Sequence, residues 1–351
     1  MGKGATKKSE QAARVSVVMA VRNGAHHLSE AIESILAQTF GDYEFLIVDD
    51  ASDDQTPDIL DRFARREDRI QIIRNDQNIG PYPSANRALT IAKGDIIARI
   101  DADDRCTPDR LMRQVGFLDT HPEHLLVGSG YRSIDASGRV LFQKPNPMDD
   151  FAVRWTACFR MPMVHPSFSF RARLADGAPV KYREDGFAAQ DYSLVADLLA
   201  VGKVACLAEP LVDYRMHVAN ISSTRRADQN RIAETVAKRV LAATSDEQNV
   251  DRFDRFFAAL YRQEPCGSND LAASAQAFRD LISEMDTQKQ RSWTRRRAAG
   301  YLADAFVKPN NLASGVIQFV SNARDFCIPL ALRTLEVKGV IKIDPTPGGD
   351  T

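Results

Sequence analysis

The chain has 351 residues, 44% of them hydrophobic, with 46 Lys and Arg against 47 Asp and Glu, for a formal net charge of −1. That length suits one large domain with an extension, or two domains, and so balanced a charge argues against a nucleic-acid partner. No apolar run approaches the ~20 residues of a membrane-spanning helix. The five cysteines (Cys106, Cys158, Cys206, Cys266, Cys327) stand singly, without a CxxC pair, which speaks against a zinc site or a disulfide framework and for a reducing compartment.

The first residues, MGKGATKKSEQAAR, are basic and polar and lack the apolar core of a signal peptide. They predict a disordered tail over 1–13 and a cytoplasmic protein, and they match the short Met-Gly-x-x-x-Ser/Thr acylation pattern. Val15–Val21 reads as a buried strand broken by Arg22-Asn23-Gly24, and Leu28–Ala37 has helical periodicity. Glu44–Asp50 is a second strand. Thr56–Glu67 opens with Thr before Pro, a helix start. Ile70–Asn75 is a third strand, Ser84–Gly94 a helix, Asp95–Asp101 a fourth strand and Thr107–Pro122 another helix. Strands without polar alternation, separated by helices, predict a mostly parallel sheet covered on both faces.

Two of these strands end in acid: Asp49-Asp50, and Asp101-Ala102-Asp103-Asp104. Ligands of open α/β sheets bind at the carboxyl ends of strands, so both clusters should line one crevice. Like charges so close raise one another's pKa unless something neutralises them, and a divalent cation is the first candidate. Neither GxGxxG nor GxxxxGK[ST] occurs, so the phosphates of a nucleotide would need a metal instead. From about Met161 to Ser223 the pattern is less regular. Beyond about Thr224 it turns helical, with segments near Ile232–Thr244, Asp251–Arg262, Asp270–Met285 and Trp293–Val307, before a polar end.

The ordered set VSVVMAVRNGAHHLSEAIESILAQTFGDYEFLIVDDASDDQT, NIGPYPSANRALTIAKGDIIARIDADDRCTPDRL, HPSFSF, QDYSLVADL and PLVDYRMHVANIS resembles family-two glycosyltransferases of GT-A fold, over roughly residues 14–224. The resemblance implies a Rossmann-like, mostly parallel sheet in a catalytic domain over 14–224, followed by a mainly helical extension over 225–351. It implies an inverting transfer from a nucleotide sugar, UDP- or dTDP-linked, to a glycan or lipid-linked acceptor in surface polysaccharide or lipopolysaccharide assembly.

Residue by residue, Asp101 and Asp103 match the DxD motif and would hold Mn²⁺ or Mg²⁺ against the donor diphosphate, since hard cations take oxygen ligands. Asp104 is a further ligand, or, like Asp109, a cap for the next helix. Asp50 matches the acid that accepts a hydrogen bond from the donor base. Ala20 and Arg22 should reach the same crevice, with Arg22 where the family often has Tyr. Asp191 matches the general base of the family's ED motif, but Gln190 replaces its Glu. His217 matches a histidine near the metal, and His165 one near donor and acceptor. Asn78, Gly80 and Asn86 read as turn-formers. The QxxRW motif of processive synthases is absent, which points to transfer of one or a few sugars. Trp293 and the arginines at 291 and 295–297 give the segment 291–308 a basic, amphipathic character, suited either to an anionic membrane at the inner face or to packing with a solvated basic edge. Two rival readings are a silent nucleotide-sugar-binding relative, favoured by Gln190, and a sugar nucleotidyltransferase, disfavoured by the missing Gly-rich loop.

Overall fold

The computed structural model describes residues 13–301 except 147, 185–187, 217–225, 246, 265–266, 284–289, 291–293, 295–296 and 299–300. The tail 1–12, His217, most of 291–308 and the last residues thus lie outside the described residues.

Chain contacts divide the protein into two compact units. One comprises residues up to Val153 together with Met161–Arg225; the other comprises Arg154–Arg160 and the residues from Arg226 onward. In the first unit, β1 (Val15–Val21), β2 (Tyr43–Asp49), β3 (Ile70–Arg74) and β4 (Ile96–Arg99) pair in parallel in the order β3-β2-β1-β4. Helices α1 (Leu28–Leu36), α2 (Thr56–Ala64) and α3 (Pro81–Ile91) connect them. Every residue of β4, and all of β1 but Ala20, is buried, which explains why they hold so few polar side chains. Ile32 and Ile35 of α1 pack with Val17, Met19, Phe45 and Ile47 in the main core. Gly94 closes the α3–β4 turn against β1: a Cβ there would stand 2.5 Å from the Ser16 backbone nitrogen.

The rest of the sheet is mixed. After the two-residue β5 (Arg105–Cys106) and α4 (Arg110–Thr120) come β6 (His124–Ile134) and β7 (Val140–Lys144), then α5 (Asp150–Ala157), β8 (Ser169–Arg171), α6 (Gln190–Val201) and β9 (Lys203–Arg215). β8 is antiparallel to both β4 and β6, β9 runs parallel to β6, and β5 and β7 pair antiparallel with β9 and β6. β9 is thirteen residues long. It escaped a periodicity reading because Glu209 and Pro210 interrupt it where its register with β6 shifts.

The second unit is built on aromatic packing. Phe159, carried by the inserted segment, has its ring 5.2 Å from Phe253, 5.8 Å from Phe256, 5.0 Å from Phe278 and 5.6 Å from Tyr301. The Tyr261 hydroxyl donates to the Phe159 carbonyl at 2.6 Å. Helices Arg226–Thr244 and Ser268–Ser283 extend the expected segments toward their N-termini. A short stretch, WTACFR, thus belongs to the core of a unit whose remainder begins 66 residues further on (Arg160 to Arg226).

Candidate active site

β1 connects to β2 on one side and pairs with β4 on the other, so the strand order reverses between β1 and β4. Such a reversal opens a crevice at the carboxyl ends of the two strands. Ala20 lies in β1 at this end and Arg22 is exposed just beyond it. Asn23 takes a left-handed conformation with φ 51°. Its backbone N–H donates to Ser52 Oγ at 3.0 Å, and its side-chain oxygen accepts from the Asp53 N–H at 3.0 Å. Gly24 N–H donates to Thr56 Oγ1 at 2.9 Å. The loops after β1 and β2 are thereby laced together. A Cβ on Gly24 would lie 3.6 Å from Ala102, so the β1 loop abuts the acidic loop after β4.

Asp50 is buried, and its carboxylate accepts from Asn75 Nδ2 at 2.7 Å and from the backbone N–H groups of Ile79 and Gly80, both at 2.9 Å. It organises the turn that leads into α3, with Asn78 Oδ1 also accepting from the Gly80 N–H at 3.0 Å.

The charge problem of the four-residue acidic stretch is met largely by arginines. Arg99, 3% exposed, donates to Asp101 Oδ1 at 2.6 Å. Burial pushes the Asp101 pKa up, but the charge and hydrogen bond of Arg99, with His165 and Arg110 nearby, together hold the carboxyl below its ordinary value. Asp104 is buried: its Oδ1 accepts from the Arg215 backbone N–H at 2.8 Å, while Oδ2 is buried with no hydrogen-bond partner. Burial, with Asp103 and Asp101 close by, raises its pKa well above the carboxylate range. Asp104 is thus a buried anchor, and it does not cap α4. Asp109, which sits at the N-terminal boundary of α4, bonds through its side chain to Thr107 and Arg113. Arg215, 1% exposed, fastens the whole loop. It donates to the Asp103 carbonyl at 2.7 Å, to the carbonyls of Asp135 and Ala136 at 3.1 and 3.0 Å, and to Glu30 at 2.6 Å.

Near Arg99 and Asp101 stands an aromatic group. His165 shares a hydrogen bond of 2.7 Å with the Tyr182 hydroxyl, and its ring lies 5.5 Å from Tyr182 and 5.9 Å from Tyr82. Burial, assisted by the Arg99 charge, pushes the His165 pKa down to about 3, so the imidazole is neutral. Asn86 clamps Tyr182 at two points: its Nδ2 donates to the Tyr182 carbonyl and its Oδ1 accepts from the Tyr182 N–H, each at 2.9 Å. Asp191 occupies the first turn of α6, whose preceding residue, Ala189, is left-handed with φ 50°. Burial raises the Asp191 pKa, and Asp101 adds to the rise, which brings both acids into one electrostatic site. Gln190 beside it is buried.

The structure therefore gathers Asp101, His165 and Asp191, with Asp103 on the same loop as Asp101. Arg99, Tyr82, Tyr182 and Arg215 are additions that the motif reading passed over. Arg99 left one signal, as a lone cation inside an apolar strand. Asn86 is more than a turn-former, since it fixes a residue on a distant segment.

Among the described residues no three His, Cys, Asp or Glu side chains form a ready-made cation cage. Mg²⁺ and similar hard cations need no such cage: one or two carboxylates suffice when substrate phosphates and water complete the shell. The donor set of Asp103, with Asp101 beside it, fits that requirement.

Residues 16–194 match the family model described as Glycosyl transferase family 2, about half of the chain. The chain belongs to that family. EpsE of Bacillus subtilis, named a glycosyltransferase, is 41% identical over 139 residues, which are 38% of this chain and 50% of that protein. The uncharacterized glycosyltransferase MJ1057 of Methanocaldococcus jannaschii is 32% identical over 206 residues, 58% of this chain and 70% of that one. The succinoglycan biosynthesis protein ExoO of Rhizobium meliloti is 30% identical over 220 residues, 60% and 62%. The chain thus spans half to about seven-tenths of these relatives.

Two solved structures share the GT-A fold of this family-2 chain. S. aureus TarS 1-349 in complex with UDP-GlcNAc has a TM-score of 0.57 at 17% identity, covering 93% of this chain and 92% of that one. The mannosyltransferase PcManGT of Pyrobaculum calidifontis, in complex with GDP-Man and Mn²⁺, has a TM-score of 0.53 at 19% identity, covering 86% and 88%. Among the described residues no helix is long and apolar enough to cross a membrane.

Proposed function

We propose that this protein moves a sugar, with inversion, from a UDP- or dTDP-linked donor to a hydroxyl of a glycan or lipid-linked acceptor in surface polysaccharide or lipopolysaccharide assembly. One observation carries the reading: two carboxylates close enough to interact electrostatically have their pKa values pulled apart by their surroundings, Asp101 down through Arg99 and Asp191 up through burial. Such a division assigns a permanently ionised group and a proton acceptor. The name of ExoO, a succinoglycan biosynthesis protein, and the UDP-GlcNAc and GDP-Man held by the two solved structures support the substrate class.

In this reading Asp191 accepts the proton of the acceptor hydroxyl as that oxygen bonds to the anomeric carbon. The bond from the anomeric carbon to the diphosphate oxygen breaks, and the electron pair leaves with the nucleoside diphosphate. Asp103, with Asp101, would hold Mn²⁺ or Mg²⁺, which when bound neutralises charge on the departing diphosphate. Neutral His165, oriented by Tyr182, offers a hydrogen bond to donor or acceptor without competing for the proton. Asp50 shapes the turn under the base, and Ala20 and Arg22 form the wall beside it.

The test is transfer, or donor hydrolysis, by the Asp191→Asn variant beside thermal stabilisation by UDP or dTDP with Mn²⁺. Lost turnover with stabilisation retained is the expected result. Full turnover in the variant would remove Asp191 from the role of base. No stabilisation by any nucleoside diphosphate, with or without metal, would overturn the donor-site reading, whereas stabilisation without turnover in the wild-type chain would favour the silent relative.

A further inference from the structure

The β6–β7 hairpin carries an apolar ribbon that the transfer chemistry does not use. Val140, Leu141 and Phe142 are 47%, 49% and 50% exposed. In a regular strand, side chains alternate between faces, and one of the three would turn inward. Here the register slips: Ser133 faces Phe142 and Ile134 faces Val140, so Leu141 is the extra residue of a bulge. All five residues of β7 are exposed, so neither face of this strand is covered, and three consecutive large apolar groups are left half open. Cations flank them: Arg139 on one side, 78% exposed at its side chain and paired with Asp135 at 3.2 Å, and Lys144 on the other, its ammonium 5.8 Å from the centre of the Tyr131 ring. Over residues 131–144 the charges are Arg132, Arg139 and Lys144 against Asp135, and with Asp213, which pairs with Arg132, the local net is +1 (three minus two).

The hairpin turn also sits next to the acidic loop. The single Arg215 guanidinium bonds the Asp103 carbonyl and the carbonyls of Asp135 and Ala136, and Arg105 donates to the Gly138 carbonyl at 3.1 Å. Whatever the hairpin touches is therefore held one side chain away from the donor site.

From this juxtaposition we infer that the 139–144 ribbon is a docking surface for an anionic lipid bilayer, which brings a membrane-borne acceptor to the crevice. A half-open apolar and aromatic strip with cations at both ends matches the acyl boundary and the anionic headgroups of such a surface. A second copy of the chain is a poorer occupant. Antiparallel self-pairing centred on Leu141 and Phe142 would set Arg139 directly opposite the partner's Lys144, a like-charge pair that opposes the sheet. The bulge at Leu141 also interrupts the ladder that an added strand needs.

The experiment is flotation of the full chain with vesicles of phosphatidylcholine alone and of phosphatidylcholine mixed with phosphatidylglycerol. Binding is expected to the mixed vesicles. It should fall by about fivefold for each cation removed in Arg139→Gln and Lys144→Gln, and more steeply in the double variant Leu141→Glu with Phe142→Glu. These side chains are half exposed, so the variants should keep the wild-type melting temperature and nucleotide-induced stabilisation, which are measured in parallel. The assay needs no turnover, so it stands or falls apart from the proposed reaction. Failure of the wild-type chain to bind either vesicle overturns the inference. So does undiminished binding of the Leu141→Glu, Phe142→Glu chain, which would point to the basic segment 291–308. A dimer in light scattering that these substitutions dissociate would assign the ribbon to a second copy and overturn it too.

Discussion

Replacing Arg99 by Met tests the claim that an arginine inside the fold balances the acidic strand tip. Arg99 is 3% exposed and the Asp101 side chain 31% exposed, with 2.6 Å between the paired atoms. Unit charges about 4 Å apart at an effective dielectric near 20 attract by about 4 kcal/mol. Part of that is spent on desolvating the guanidinium, and Asp101 keeps some contact with water, so a coupling of about 2 kcal/mol remains. The assay is a double-mutant cycle by thermal melting, with Arg99→Met, Asp101→Asn and the double variant. For a domain of about 200 residues, 2 kcal/mol corresponds to about 4–8 °C, and the double variant should lose that much less than the sum of the single losses. The pH dependence has a fixed sign. Asp101 is depressed in the folded state, so its contribution is full above the ordinary carboxylate pKa and is lost as pH falls through the folded value. The coupling should therefore shrink in acid. Additive losses at neutral pH would refute the pairing as the source of charge balance.

Further outcomes follow from the same geometry. Asp191→Asn should lower turnover by about 10²–10⁴-fold, and in the wild-type enzyme kcat/KM should fall as pH drops through a value above the ordinary carboxylate pKa, because burial raises Asp191 and only its ionised form accepts a proton. A limb that persists unchanged in a partly active Asp191 variant would reassign the base. Asn86→Ala removes both bonds to the Tyr182 backbone; a loss of about 1–3 kcal/mol in melting with a raised donor KM is expected, and an unchanged KM would free His165 from dependence on this clamp. Arg215→Met removes the bonds of an enclosed guanidinium to three backbone carbonyls and to the partly exposed Glu30 and should cost about 1–3 kcal/mol, read by denaturant unfolding. Chelation of divalent cations, or Asp103→Ala, should abolish nucleotide-induced stabilisation, which a melting scan with and without Mn²⁺ will show.

Much of this protein was legible before any coordinates. The parallel half of the sheet could be read from Val15–Val21, Tyr43–Asp49 and Ile96–Arg99, because a strand covered on both faces admits few polar side chains. The acidic tips told where a ligand should sit, because the end of a buried strand is a costly place for charge. The ordered motifs resembled one known family closely enough to name it, and the model of that family matches residues 16–194.

What the tertiary structure decided is how those acids are treated once they are there. Arg99 was visible two residues before Asp101, but successive side chains of a strand face opposite sides and only i and i+2 share one, so their pairing rests on the strand's path to its end. Asn86 reaches Tyr182 across 96 residues, Arg215 reaches Asp103 across 112, and Phe159 gathers its aromatic shell from beyond residue 250. Such contacts leave no period in a sequence, because they arise where separate elements meet. The sequence could supply the carboxylates, but only the packed fold could divide them into one held ionised, one buried as an anchor and one raised toward the pKa of a base.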